Sequence, residues 1–135
     1  TFKGDSTEIE RLVKQRVGQD VFRENLIRYW GGACALTGIS EKSLLRASHA
    51  KPWATCESDE ERINVFNGFL LEARYDALFD AGLITFSDSG ELVVSSMLSK
   101  QTQQSLHLDT YVSLRWVAVE HLSFLNWHRE LVFKR

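Results

Sequence analysis

The chain has 135 residues, 44% of them hydrophobic and 25% charged, with a formal net charge of −2. That length suits one compact domain burying about two thirds of its extended surface, and the composition lies far from the polar, charge-heavy signature of disorder. A slightly negative balance excludes a protein that coats nucleic acid through bulk positive charge, so any such binding must be local.

No stretch approaches the roughly 20 apolar residues of a membrane span, and no charged-then-apolar leader opens the chain. A cytoplasmic enzyme with no membrane contact is therefore expected. The chain begins with Thr1 rather than Met, which suggests a piece of a longer protein. Cys34 and Cys56 are too few for a disulfide framework or a Cys₄ zinc site, and His49, His107, His121 and His128 do not stand at finger spacing. No structural zinc is expected. Cys34 reads as a small buried hydrophobe and Cys56 as an unpaired loop thiol.

Across residues 6–30 the apolar positions Ile9, Leu12, Val13, Val21, Phe22, Leu26, Ile27 and Trp30 recur at three and four residue steps, the helical period. Gly18 is expected to interrupt it, and Ser6 or Thr7 ahead of Glu8 and Glu10 suits a helix start. The basic residues here are nearly balanced by acidic ones, as on a solvated helix face. Gly31 and Gly32 then punctuate the chain. Residues 33–37 and 44–49 read as two short strands of a hairpin with a turn over 38–43. Pro52, the only proline, cannot donate to a ladder and extends Lys51, so the second strand should end near His49.

Residues 54–62 are polar and acidic and read as a loop. Residues 65–71 are apolar, and 72–81 read as a helix ended by Gly82. Residues 83–86 and 91–94, around Ser87-Asp88-Ser89-Gly90, form a second hairpin. Residues 95–105 are polar and weakly determined, 114–119 suggest a strand, and 121–133 a terminal helix. Trp53 and Phe79, with Leu70, Leu71, Leu78 and Leu83, are expected in a small core that clamps hairpin to helix. His107, His121 and His128 have no partner at ligand spacing and receive no role.

Four polar groups fall at spacings that make chemical sense together. They are His49 in Ser48-His49-Ala50-Lys51-Pro52-Trp53, Asn67 in Asn67-Gly68-Phe69-Leu70-Leu71, and Asp76 with Asp80 in Tyr75-Asp76-Ala77-Leu78-Phe79-Asp80-Ala81-Gly82-Leu83-Ile84. Asp76 and Asp80 are four apart, so on a helix both carboxylates leave one face and can share a hard cation. Alone, such a pair also describes a solvated helix face, and a lone strand histidine a structural group.

Together with Cys34-Ala35-Leu36-Thr37-Gly38, these segments resemble the HNH endonuclease family over about residues 30–86, and more loosely over residues 19–30 and His128-Arg129-Glu130. The resemblance implies an α+β fold: a ββα-metal (HNH, or His-Me finger) core at residues 31–86, with a helical N-terminal flank (1–30) and a C-terminal flank (87–135) of hairpin and helix. All of 1–135 would then be one nuclease domain. It further implies His49 as general base, Asn67 as the residue that orients it, and Asp76 as the ligand of one divalent ion, Mg²⁺ or Mn²⁺, with Asp80 secondary. Many relatives carry Asp or His before the catalytic histidine; Ser48 stands there, a neutral and poor ligand. Lys51, Arg46 and Arg74 are candidates for holding substrate phosphates and equally for plain surface charges. The expected partner is DNA, cut in a restriction or defence setting, with target selection outside this chain and a homodimer as a guess from function. The competing reading is a catalytically silent binding or assembly module on the same scaffold, with Ser48 as its first sign.

Overall fold

A single 24-residue helix, α1 (Ser6–Tyr29), forms one wall of the molecule. The computed structural model describes residues 6–135; Asp5, counted among the acidic residues of this stretch, lies outside them. Phe22, Leu26 and Trp30, each four residues on from the last, are fully buried. The apolar residues of the earlier turns are not: Ile9, Leu12, Val13 and Val17 stay exposed.

Gly18 does not interrupt the helix, contrary to expectation. A Cβ there would lie 2.4 Å from Cη2 of Trp53, so the glycine makes room for the indole. The helix accepts the propensity penalty of roughly 1 kcal/mol.

The expected first strand at 33–37 is absent. Cys34 begins a tight turn instead, with Gly38 N–H donating to Cys34 O at 2.9 Å. Its Sγ accepts the backbone N–H groups of Leu36, Thr37 and Glu72. The buried thiol thus does more than fill space. The sheet of the finger is β1 (Leu45–His49) paired antiparallel with β2 (Gly68–Glu72), His49 opposite Gly68 and Leu45 opposite Glu72. The second strand therefore comes from the apolar run read as preceding the helix. Gly68 is forced by that pairing, since a Cβ on it would fall 1.9 Å from Ser48 O.

Between the strands, the polar segment contains a 3-10 turn (Trp53–Thr55) and the short helix α2 (Asp59–Ile63), capped by Ser58, whose Oγ accepts from Glu61 N–H. Helix α3 (Ala73–Asp80) follows β2 directly, with the Glu72 carboxylate accepting from Arg74 N–H as its cap. Contacts run from α1 to β1 and β2 on one side and from α3 to them on the other. The finger sheet is thus the middle layer.

The second hairpin, β3 (Ile84–Phe86) with β4 (Leu92–Val94), forms as expected around the Ser87 to Glu91 turn. Residues 95–105 yield a short helix α4 (Lys100–Ser105). The expected strand at 114–119 is absent; that run is irregular, with one isolated bridge between Glu91 and Ser113. Its Arg115 donates from Nε to Cys34 O at 3.1 Å, from Nη2 to Trp30 O and Ala33 O at 2.8 Å each, and from its backbone N–H to Ala35 O. Helix α5 (Leu122–Leu131) closes the fold, burying Leu125 and His128. The architecture is α+β, and its core gathers Phe22, Trp30, Phe69, Phe79, Phe86 and Leu125.

Candidate active site

Successive residues of a strand point to opposite faces, and at the end of β1 this separates two neighbours. Ser48 turns toward α3, where its hydroxyl donates to Asp76 Oδ1 at 2.6 Å. His49 turns toward α1, where its ring stacks on Phe22 with centroids 3.8 Å apart and planes 15° apart. The two sit on adjacent backbone units, one facing each neighbouring helix.

The imidazole of His49 is held at one end. Nε2 lies 2.7 Å from Arg62 O. A carbonyl can only accept, so Nε2 carries the proton in the neutral ring and Nδ1 keeps the free lone pair. Burial pushes the His49 pKa below its ordinary 6.5, opposed by the bond to Arg62 O. At neutral pH the ring is therefore uncharged and able to accept a proton at Nδ1.

Asp76 is half-buried. Loss of water pushes its pKa up from the ordinary 3.8; the Ser48 hydroxyl pulls it back down, the negative charge of Asp80 adds to the rise, and Arg46 opposes it. Asp80 is exposed, one turn further along α3. Two carboxylates whose charges disfavour each other, plus a serine hydroxyl, form an all-oxygen donor set that fits a hard divalent cation, because a cation would relieve that repulsion. Among the described residues no group of three or more His, Cys, Asp or Glu side chains converges on a cation position. An ion held here would therefore complete its shell with water and substrate oxygens.

Asn67 is fully buried, and its side chain reaches Lys51 rather than His49. Oδ1 accepts from Lys51 N–H at 2.8 Å, while Nδ2 faces Lys51 O at 3.2 Å, Glu61 O at 3.1 Å and Cys56 Sγ at 3.4 Å. Its own carbonyl accepts from Ala50 N–H. The residue thus fixes the backbone on leaving β1, just after His49.

Of the three candidate phosphate-holding cations, Arg46 is exposed and is the one whose charge acts on Asp76. Lys51 is ion-paired with Glu61 at 2.8 Å. Arg74 donates to Leu106 O and stacks over Tyr75. Phe79 is buried as expected, whereas Trp53 is not a core clamp: it packs edge-on against Gly18 and beside the His49 ring, half-exposed.

Three residues here escaped the sequence reading. Phe22 looked like any buried helix position. Arg62 acts partly through a backbone carbonyl, which no side-chain pattern reveals; its Asp59 partner at i−3 was the one available hint. His128, 1% exposed, has Nε2 on Phe79 O at 2.9 Å and Nδ1 facing Thr85 Oγ at 2.8 Å, and it stacks on the Phe79 ring. It thereby anchors the end of α3.

No curated protein matches the chain. The family model for HNH endonuclease matches residues 34–87. That segment contains β1, β2, α3 and β3 with the side chains of Ser48, His49, Asn67, Asp76 and Asp80, so this part of the chain is similar to HNH endonucleases.

Proposed function

We propose that this protein is a metal-dependent endonuclease that hydrolyses DNA phosphodiester bonds, with His49 as general base and one divalent ion, Mg²⁺ or Mn²⁺, held chiefly by Asp76. The observation that carries the reading is the meeting of β1 and α3: Ser48 touches Asp76, and next to it stands a neutral histidine whose only free nitrogen is Nδ1. A bound cation would supply charge neutralisation at the scissile phosphate and the leaving oxygen.

The chain's own residues account for the rest. Nδ1 of His49 takes a proton from the attacking water, and stacking on Phe22 together with the bond to Arg62 O holds the ring in one orientation. Asn67 fixes the strand end that carries it. Asp76 and, less strongly, Asp80 bring negative charge to the cation, while Ser48 orients Asp76. Arg46, exposed and near enough for its charge to act on Asp76, is the cation assigned here to a neighbouring phosphate. The whole chain is taken as one nuclease domain, with residues 31–86 as its core. Target selection in a restriction or defence setting falls to a domain or subunit outside it, and cutting both strands would take two copies.

The neutral Ser48, where a charged ligand would be stronger, favours the rival reading of a catalytically silent binding module. Plasmid nicking with Mg²⁺ or Mn²⁺, beside calorimetric metal titration, separates them. His49→Ala should lower the cleavage rate by about 10² to 10⁴ with DNA affinity retained. Asp76→Ala should abolish cleavage and weaken metal binding, and Asp80→Ala should leave partial activity. No nicking by the wild-type protein with either ion would favour the silent module. A greater loss in Asp80→Ala than in Asp76→Ala would reverse the ligand assignment.

A further inference from the structure

We propose that Arg62 is a positioning residue for the base: its side chain folds the β1–β2 connection around itself, so that its own carbonyl meets Nε2 of His49. This rests on the reading of His49 given above. One residue serves both ends of the arrangement. Its carbonyl oxygen lies 2.7 Å from Nε2 of His49. Its guanidinium donates from Nε to Trp53 O and from Nη2 to Cys56 O, 3.1 Å each, and from Nη1 to Asp59 Oδ1 at 2.9 Å. It also stands 5.5 Å over the Trp53 ring.

Arg62 lies in the last turn of α2, a five-residue helix. Helices that short are not stable by themselves, so the place of the Arg62 carbonyl depends on what anchors the segment. Asn67 anchors it at Lys51 and Glu61. The stretch from Trp53 to Cys56 is gathered by the Arg62 fork. Lysine cannot reproduce this, because a planar guanidinium reaches two carbonyls and a carboxylate at once and an ammonium is a single point. Each of the three guanidinium nitrogens of Arg62 donates within the connection itself.

The functional effect lies in the choice of tautomer. With a fixed acceptor at Nε2, the neutral ring keeps its proton there and Nδ1 accepts. Without it, the proton redistributes between the two nitrogens and the ring is freer to turn on Phe22.

The test is ¹⁵N NMR of the His49 ring nitrogens at neutral pH, without metal or DNA, in the wild-type chain, Arg62→Ala and Arg62→Lys, together with nicking kinetics. The wild type should show the Nε2–H form alone. Arg62→Ala should show a mixture, with kcat down on the order of tenfold or more and KM for DNA little changed, as misplacement of a reacting group predicts. Arg62→Lys should resemble it; that variant keeps a cation beside Asp59 and carries the comparison if the alanine variant does not fold. A single Nε2–H form with wild-type turnover in either folded variant overturns the proposal, as does a wild type lacking that form. Because the tautomer is read without substrate, a wild type that shows the Nε2–H form yet cuts no DNA refutes the nuclease reading and leaves the positioning role standing.

Discussion

Asn67 shows how one side chain can organise a site without touching its reactive group. Replacing it by alanine would leave Lys51 N–H and the carbonyls of Lys51 and Glu61 without their partner in a buried setting. Stranded buried groups cost roughly 1–3 kcal/mol. Asn67→Ala should therefore lower the melting temperature by several degrees and also reduce cleavage, since the backbone after His49 loses its tie. Thermal melting and plasmid nicking measured together check this; if both stay at wild-type values, Asn67 is only a turn former before Gly68. At this scale the sequence named side chains that the fold sets at and beside the junction of β1 and α3, Ser48, His49 and Asp76 among them, and their chemical roles are proposals. It was illegible where a carbonyl or a stacked ring meets one of them, as with Arg62 and Phe22. A backbone oxygen is the same in every residue, so its use is decided by the path of the chain.

Elements repeat that division. The helical period of residues 6–30 predicted α1, yet the break at Gly18 did not follow, because what decides there is a ring 35 positions away in sequence. The strand at 33–37 failed for a similar reason: Cys34 satisfies backbone N–H groups with its sulfur, and the chain turns. β2 was hidden inside an apolar run whose continuation is helical, and short apolar runs do not reveal their period. Gly18 gives a sharp test. On an exposed helix, Gly→Ala stabilises by roughly 1 kcal/mol. Here the added Cβ must displace the tip of Trp53, and overpacking costs typically 1–3 kcal/mol. Gly18→Ala should thus be neutral to destabilising in chemical denaturation and should change the emission of Trp53, identified against a Trp53→Phe control. A gain near 1 kcal/mol with unchanged emission would mean that the indole does not rest on α1.

For the molecule as a whole, buried imidazoles set the response to acid. Burial lowers the pKa values of His49, His121 and His128, the last to about 4. The unfolded chain takes up these protons near pH 6.5 and the folded chain only lower down. Their contribution is therefore complete above about pH 6.5 and is lost as pH falls toward the folded values. For His128 alone the loss by pH 4 is on the order of 3 kcal/mol. Asp76, whose pKa is raised, works in the opposite sense, favouring the fold as pH falls toward its ordinary 3.8. Urea denaturation at pH 7, 5.5 and 4.5 should show a net decline that shrinks in His128→Gln; a flat profile would mean that these rings are not kept neutral. The reach of Arg115 back to Trp30, Ala33 and Cys34 joins parts of the chain more than 80 positions apart. The finger is consequently no portable cassette: transplanted alone into another host, its opening turn would arrive with the Ala33 and Ala35 carbonyls stripped of their donors and the Cys34 carbonyl left with the Gly38 N–H alone, and the recipient would have to furnish a guanidinium of its own.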